Sequence, residues 1–522
     1  MRPAPPADPT PDGRPAGGGL IVARMLAGAA VPAIFCVPGE SFLGLLDALA
    51  ATPGLPPVIA CRHEHAAAMM AEAVGKLTGR PAACLVTRGP GACNAAIGVH
   101  TAFQDQTPLL LIVGQVALAH RGREAFQEVD LAALFRPLAK AAWEVDTADA
   151  LALAVARALA LAVEGRPGPV VLAVPEDLFR AVPPAAALPP LSPPAVALPE
   201  PGRMERLHRI LGDAERPLLL LGGGGWSGEG RAAIATFARA NGLPVVVGFR
   251  RLDLFDTTDP LFVGELGLSP DPRLVARVQA ADVVLAVGSR LGEATTQGYR
   301  LLSRDAGRPP ALVHVYPAAA EIGRVFPPTL AIVADPSAFA AAAARLAPFG
   351  GGRWQAWAAA ARHDHAADRI GPPPAGALDL RQAMAVLDAR LPGDAIVTVD
   401  AGNFSGWPQR FLSFPAGRRL LGPCNGAMGY GVPAAVAAAL LHPDRVVVGC
   451  VGDGGFGMTG QDLATAVQHG ARPLILVFDN GLYGTIRMHQ ERLYPGRPVA
   501  TRLGVTDFRA MARSMGAWAA RV

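Results

Sequence analysis

A chain of 522 residues has room for about three domains of ~100–200 residues each. Half of it is apolar (51%) and 17% is charged, a balance that excludes an extended disordered protein. The formal net charge is +4, the arginines are dispersed and Lys76 and Lys140 are the only lysines, so no basic tract offers itself to nucleic acid.

The mean hydropathy of +0.30 raises the question of a membrane. A spanning helix needs about 20 consecutive apolar residues. Pro108 to Ala119 is too short, Leu151 to Val163 carries Arg157, and Gly426 to Leu441 is interrupted by glycines and Pro433. Residues 1–18 are rich in Pro and Gly without an apolar centre, and read as a disordered tail rather than a signal peptide. The cysteines at 36, 61, 84, 93, 424 and 450 form no CxxC pair, as in a reducing compartment. A soluble cytoplasmic protein is expected, with no membrane and no nucleic-acid partner.

Short apolar runs alternate with helical stretches along the chain. Strands are predicted at Ala33–Val37, Ala83–Thr87, Leu109–Val113 and Val170–Val174. A second set is Leu218–Leu221, Val245–Val247, Val283–Val287 and Leu312–Val315, and a third is Ala395–Val399, Val446–Cys450 and Leu474–Phe478. Runs of this kind are strands of parallel sheets buried on both faces. The proline-rich stretch 182–202 and the Gly/Pro-rich stretch 348–377 read as linkers. The expected fold is therefore α/β: three domains over 19–181, 203–347 and 378–522, each a mostly parallel sheet flanked by helices.

The densest chemical signal is Gly452-Asp453-Gly454-Gly455-Phe456, followed 27 residues after Asp453 by Asn480. Both positions fall at the carboxyl ends of predicted neighbouring strands, on one edge of a parallel sheet. With a helix predicted over Gln461 to His469 between them, Asp453 and Asn480 can share a hard cation such as Mg²⁺ through oxygen. A backbone carbonyl, that of Leu482, is expected as the third ligand. Read alone, the Gly-Asp-Gly turn has an ordinary strand-to-helix turn as its lesser alternative. Glu64 could be a helix N-terminal acid favoured by the dipole, and Met428 a core methionine at a turn. Gly223-Gly224-Gly225-Trp226-Ser227-Gly228 matches GxGxxG after a strand, but no acid closes the next strand, which weakens it as a dinucleotide signature. His363-Asp364-His365 is expected to be solvated in the second linker.

Taken together, these segments resemble the thiamin diphosphate enzymes. GDG followed by an asparagine pair is similar to their fingerprint, with Asp479 here in place of the first asparagine. Arg62-His63-Glu64-His65-Ala66-Ala67 resembles their HEQAA segment. The resemblance implies that Glu64 meets the aminopyrimidine N1′ of the cofactor and promotes its imino form. Asn425-Gly426-Ala427-Met428-Gly429-Tyr430-Gly431 resembles GxMGxG, with Met428 under the bend of the cofactor and Gly426 beside its pyrimidine. Asp453, Gly454, Gly455, Asn480 and Leu482 are implied at the diphosphate and Mg²⁺. Gly402 and Asn403 are further diphosphate candidates after a strand, where the family often has Gly-Gln-His.

Within that family the acetolactate synthases are most similar. Val37-Pro38-Gly39-Glu40, Gly89-Pro90-Gly91-Ala92-Cys93-Asn94, the Phe126-Gln127-Glu128 segment and Gly288-Ser289-Arg290 resemble their loops. That places Phe126 and Gln127 at the substrate pocket and Arg290 at a substrate carboxylate. The implied activity is decarboxylation of a pyruvate-like 2-oxo acid and ligation to a second carbonyl, with thiamin diphosphate and Mg²⁺. The implied assembly is a homodimer or homotetramer with active sites at the subunit interface, so that Glu64 and Asp453 of one site come from different subunits, and a regulatory subunit is a further candidate partner. Some synthases hold FAD in the middle domain, which leaves FAD open here. His489 stands where the synthases usually have Trp, making the acceptor pocket more polar. A decarboxylase that protonates its intermediate, with His489 as donor, and a non-catalytic cofactor-binding regulator remain alternatives. The chain is also some 30 residues shorter at its end than is usual in the family, from which marginal stability is expected.

Overall fold

The computed structural model describes residues 17–182, 188–191, 193–303, 309–349, 352–370 and 378–522. Most of the expected tail lies outside the described residues, and a helix begins at Gly18.

Three sheets form, and every strand pairing with a described register is parallel. The first contains β1 (Ile34–Cys36), β2 (Val58–Ala60), β3 (Ala82–Thr87), β4 (Leu109–Gln115), β5 (Ala141–Glu144) and β6 (Pro169–Pro175), in the order β2-β1-β3-β4-β6-β5. The second contains β7 (Pro217–Leu221), β8 (Val245–Val247), β9 (Phe262–Glu265), β10 (Val283–Val287), β11 (Ala311–Tyr316) and β12 (Leu330–Val333), in the order β12-β11-β10-β7-β8-β9. The third contains β13 (Ile396–Val399), β14 (Arg419–Leu421), β15 (Val447–Gly452) and β16 (Leu474–Phe478), in the order β14-β13-β15-β16. All of β4, β6, β7, β10 and β15 is buried, as expected of strands covered by helices on both faces.

Every strand predicted from the sequence is present, with ends shifted by one or two residues. Five further strands, β2, β5, β9, β12 and β14, were not predicted, and each is the outermost strand of its sheet. An edge strand needs no continuous apolar run, because one side lacks a neighbour; β5 is half-buried throughout and β12 alternates.

The expected linker 348–377 contains a helix, Gln355–Ile370. Two indoles fasten its start: Trp354 is buried with its N–H on the Ala214 carbonyl at 2.9 Å, and the Trp357 N–H is on Pro217 O at 2.9 Å. His363-Asp364-His365 is therefore helical, with His363 exposed as expected and Asp364 and His365 half-buried. Asp364 pairs with Arg277 at 2.7 Å, and His365 packs edge-on to Phe262. Burial lowers the His365 pKa to about 4. The helix predicted over Gln461 to His469 is a 3-10 turn, Gly460–Asp462, running into a shorter α-helix, Leu463–Gln468.

By packing, the chain gathers into two compact units. One is Met1–Pro194 with Asp400–Gly402 and Asn425–Val522, and the other is Ala195–Val399 with Asn403–Cys424. The first unit holds most of the candidate site.

Candidate active site

Glu64 opens the helix Glu64–Thr78, just beyond β2. His63 caps that helix, its Nδ1 accepting the His65 N–H at 3.1 Å, which satisfies a donor the helix start would leave open. Gly79, at φ +69, ends the helix in the left-handed conformation. The half-buried Glu64 carboxylate accepts from Asn94 Nδ2 at 3.0 Å. The GPGACN segment is the opening of the helix Arg88–Asp105. Its Gly91 lies so near Glu64 that a Cβ there would stand 3.4 Å from Oε1.

His65 follows on the same helix turn. Its Cε1 would be 2.9 Å from a Cβ on Gly429. Burial, with His63 nearby, lowers its pKa to about 4. The unfolded chain therefore binds a proton here between about pH 6.5 and 4 that the folded chain does not, so folding stability rises with pH across that window by at most ~1.4 kcal/mol per pH unit. His65→Gln is expected to flatten this part of the pH–stability curve, measured by urea unfolding at a series of pH values. An unchanged slope would show that other groups carry it.

The segment 425–431 is shaped by an acid whose role was not assigned from the sequence. Asp400, fully buried just after β13, accepts N–H groups from Ala401 (2.7 Å), Gly429 (2.9 Å) and Gly431 (2.9 Å). Gly426 and Gly429 have φ of +72 and +91, conformations that a side chain resists. The Asn425 Oδ1 accepts the Ala427 N–H at 3.1 Å, and the Thr459 hydroxyl donates to Gly429 O at 2.9 Å. Met428 is half-buried at the centre of this loop.

Asp453 sits at the junction of β15 and the helix Asp453–Thr459, 6% exposed. Its Oδ1 accepts the Gly454 N–H at 2.8 Å, and its Oδ2 accepts those of Asn480 (3.2 Å) and Leu482 (3.3 Å). The Asn480 Oδ1 accepts the Leu482 N–H at 3.0 Å. Asp453 and Asn480 are therefore adjacent at the carboxyl ends of β15 and β16, as the spacing predicts, and Leu482 meets both of them through its N–H. Asp479 caps its own turn, accepting the Gly481 N–H at 3.2 Å. The glycines are steric necessities: a Cβ on Gly454 would lie 2.8 Å from the Tyr483 ring, and one on Gly455 2.9 Å from Asp400. Beside them is a cavity of about 310 Å³ lined by Asp453, Gly454, Asp479, Tyr483 and Leu503, among others.

Other candidates lie elsewhere. Phe126 is 75% exposed, and Gln127 has φ +68 with its carbonyl accepting the Gly89 N–H at 3.0 Å. Their loop is held by Glu128, whose carboxylate takes N–H donors from Gly122, Arg123 and Ala125, and those donors lower its pKa. His489 is exposed on the helix Gly484–Leu493 and does not line the cavity. Arg290 and Asn403 belong to the second unit, Arg290 in the turn after β10 and Asn403 opening a 3-10 turn.

A buried polar network was also missed. Lys76 Nζ lies 3.0 Å from Glu72 and 3.0 Å from Asp105, and the Tyr430 hydroxyl donates to Glu72 at 2.6 Å. It joins the Glu64 helix to the residue just after Met428-Gly429. The i,i+4 spacing of Glu72 and Lys76 was the available signal, but that pattern is common on solvated helices.

Three family descriptions match the chain in order. They are the thiamine pyrophosphate enzyme N-terminal TPP-binding domain over residues 17–134, the central domain over 204–343, and the C-terminal TPP-binding domain over 400–522. The acetolactate synthase large subunit of Corynebacterium glutamicum is 30% identical over 97% of this chain and 82% of its own length. That of Parasynechococcus marenigrum is 33% identical over 93% and 80%. The isozyme 3 large subunit of Escherichia coli is 30% identical over 96% and 88%. The chain belongs to the thiamine pyrophosphate enzyme family.

The residues fit what this family's cofactor requires. Asp453, the Asn480 amide and a backbone carbonyl are hard oxygen donors suited to Mg²⁺. They bring one carboxylate, and among the described residues no cluster of three His, Cys, Asp or Glu could hold an ion. A cation held by such a set would draw its remaining ligands from a diphosphate or from water. No helix among the described residues is long and apolar enough to cross a membrane.

Proposed function

We propose that this chain is a catalytic subunit that decarboxylates a pyruvate-like 2-oxo acid and joins the remaining fragment to a second carbonyl, as an acetolactate synthase does. The observation that carries this reading is the adjacency of Asp453, Asn480 and Leu482 at the ends of β15 and β16, beside a cavity. When bound, thiamin diphosphate supplies the electron sink that lets CO₂ leave.

The protein's own residues hold and orient. Asp453, Asn480 and the Leu482 carbonyl hold Mg²⁺, and Gly454, Gly455, Gly402 and Asn403 leave room for the diphosphate. Glu64 holds or shares a proton at the aminopyrimidine N1′, with Asn94 fixing the carboxylate. Met428 supports the bend of the cofactor and Gly426 meets its pyrimidine. Phe126 and Gln127 line the substrate pocket, Arg290 meets the acceptor carboxylate, and His489 tunes the acceptor side. The domains are 19–181, 203–347 and 378–522, and the assembly is a cytoplasmic homodimer or homotetramer. Relatives are named large subunits, which supports a smaller regulatory partner.

Proton NMR of the purified protein with thiamin diphosphate, Mg²⁺ and pyruvate tests the proposal. Acetolactate is the expected product, and acetaldehyde alone would replace the reading with a non-ligating decarboxylase. A second outcome follows from the single carboxylate. Mg²⁺ alone should leave the melting curve unmoved, whereas Mg²⁺ with saturating thiamin diphosphate (100 times Kd) should stabilise the protein by about 2.7 kcal/mol. Asp453→Ala should abolish that shift, and a shift surviving the substitution would remove Asp453 from the metal site.

A further inference from the structure

The second sheet contains a ligand crevice by topology. From β7 the chain moves to β8 and β9 on one side, then returns to β10 and continues to β11 and β12 on the other. The connections diverge between β10 and β7. The crevice outside the carboxyl ends of those strands is where an open α/β sheet takes a dinucleotide. The GGGWSG segment, 223–228, lies at its mouth, directly after β7. An FAD in this domain would have to enter here.

The chain itself occupies the space. The Trp226 indole N–H donates to Gly222 O at 2.9 Å, at the end of β7. The same nitrogen would be 3.2 Å from a Cβ on Gly288, which follows β10. One side chain thus spans both strand ends at the point of divergence. Two backbone donors at the start of the following helix are also taken. The Ser227 N–H donates to Ser337 Oγ and the Gly230 N–H to Ser227 Oγ, each at 2.9 Å. The Ser337 Oγ would stand 2.3 Å from a Cβ on Gly230, so that hydroxyl is wedged against the first helical turn. Beyond β8 the chain runs into Gly248 and Phe249 rather than an acid that could take a ribose hydroxyl, and the Phe249 N–H donates to Thr295 Oγ1 at 3.3 Å.

We infer that Trp226 is the resident of this crevice and that the central domain takes no FAD or other dinucleotide. The residues do not fit such a group: its entry would require the indole to leave Gly222 and Gly288 and Ser337 to release the helix start. This inference concerns the second unit alone and does not depend on the proposed reaction.

Full-length protein is incubated with excess FAD and gel-filtered, and the retained flavin is released by acid and measured by fluorescence. A small fraction of one flavin per chain is expected, and about one per chain would overturn the inference. Trp226→Gly removes the plug, and its thermal midpoint should fall and rise again with free indole, as an emptied apolar site accepts a matching ligand. A Trp226→Gly protein that melts like the parent and ignores indole would show that Trp226 does not fill the crevice. Should that variant fail to fold, the flavin content of the parent and of Trp226→Phe decides: both remain flavin-free if the inference holds, and stoichiometric flavin in either overturns it.

Discussion

Glu64→Gln is expected to lower turnover by about 10²–10⁴-fold, the usual contribution of a positioned proton-transfer group, while thiamin diphosphate still binds. The substitution is nearly isosteric. Asn94 donates to one carboxylate oxygen at 3.0 Å, and the Gln side-chain oxygen can accept that same N–H, so the helix start keeps its geometry. On the proposed reading, an ionisable oxygen facing the pyrimidine is what disappears. Steady-state kinetics on pyruvate, with cofactor titration by tryptophan fluorescence, separate the two effects. Turnover within a few-fold of the parent would remove Glu64 from proton transfer. Loss of cofactor affinity with unchanged turnover at saturation would make it a binding group only.

Lys76→Met should be the most destabilising single change near the site, at about 3–5 kcal/mol. The ammonium lies between Glu72 and Asp105, each at 3.0 Å, and both carboxylates are fully buried. Removing it leaves two negative charges in a dry interior, with the Thr107 and Tyr430 hydroxyls as remaining donors to Glu72 at 2.8 and 2.6 Å. Urea unfolding measures this, with Lys76→Arg as a control that keeps the charge. A neutral effect would mean that the Thr107 and Tyr430 hydroxyls are enough to hold the buried carboxylates. Because Tyr430 follows Met428-Gly429, the variant should also weaken cofactor binding.

The strands legible in the sequence were unbroken apolar runs, most of them buried on both faces of a sheet; β16, an outermost and half-exposed strand, was legible because Leu474–Phe478 is wholly apolar. β4 and β10 are unbroken apolar runs because no face of them meets water. β2, β5, β9, β12 and β14 escaped notice because an edge strand can form on its one neighbour without a long apolar run of its own. The helix Gln355–Ile370 was hidden by the Gly and Pro residues around it, and its placement depends on Trp354 and Trp357 reaching carbonyls some 140 positions earlier in the chain. In the site, Asp453, Asn480 and Leu482 could be read because strand-end chemistry follows from local order along the chain. Asp400 could not, since its importance comes from Gly429 and Gly431, about 30 residues away. Asn94 and Tyr430 were hidden for the same reason: their partners Glu64 and Glu72 are distant in sequence.

The Asp400 carboxylate has a thermodynamic consequence. Its bonds to Gly429 and Gly431 are made by the chain itself, so on the proposed reading the loop on the pyrimidine side enters binding with little freedom left to lose. On the proposed reading, ordering on binding would then fall mainly at the Asp453 and Asn480 end, and calorimetry of cofactor binding measures the total. Asp400→Asn, which weakens acceptance from the two glycine N–H groups, should make the binding entropy less favourable.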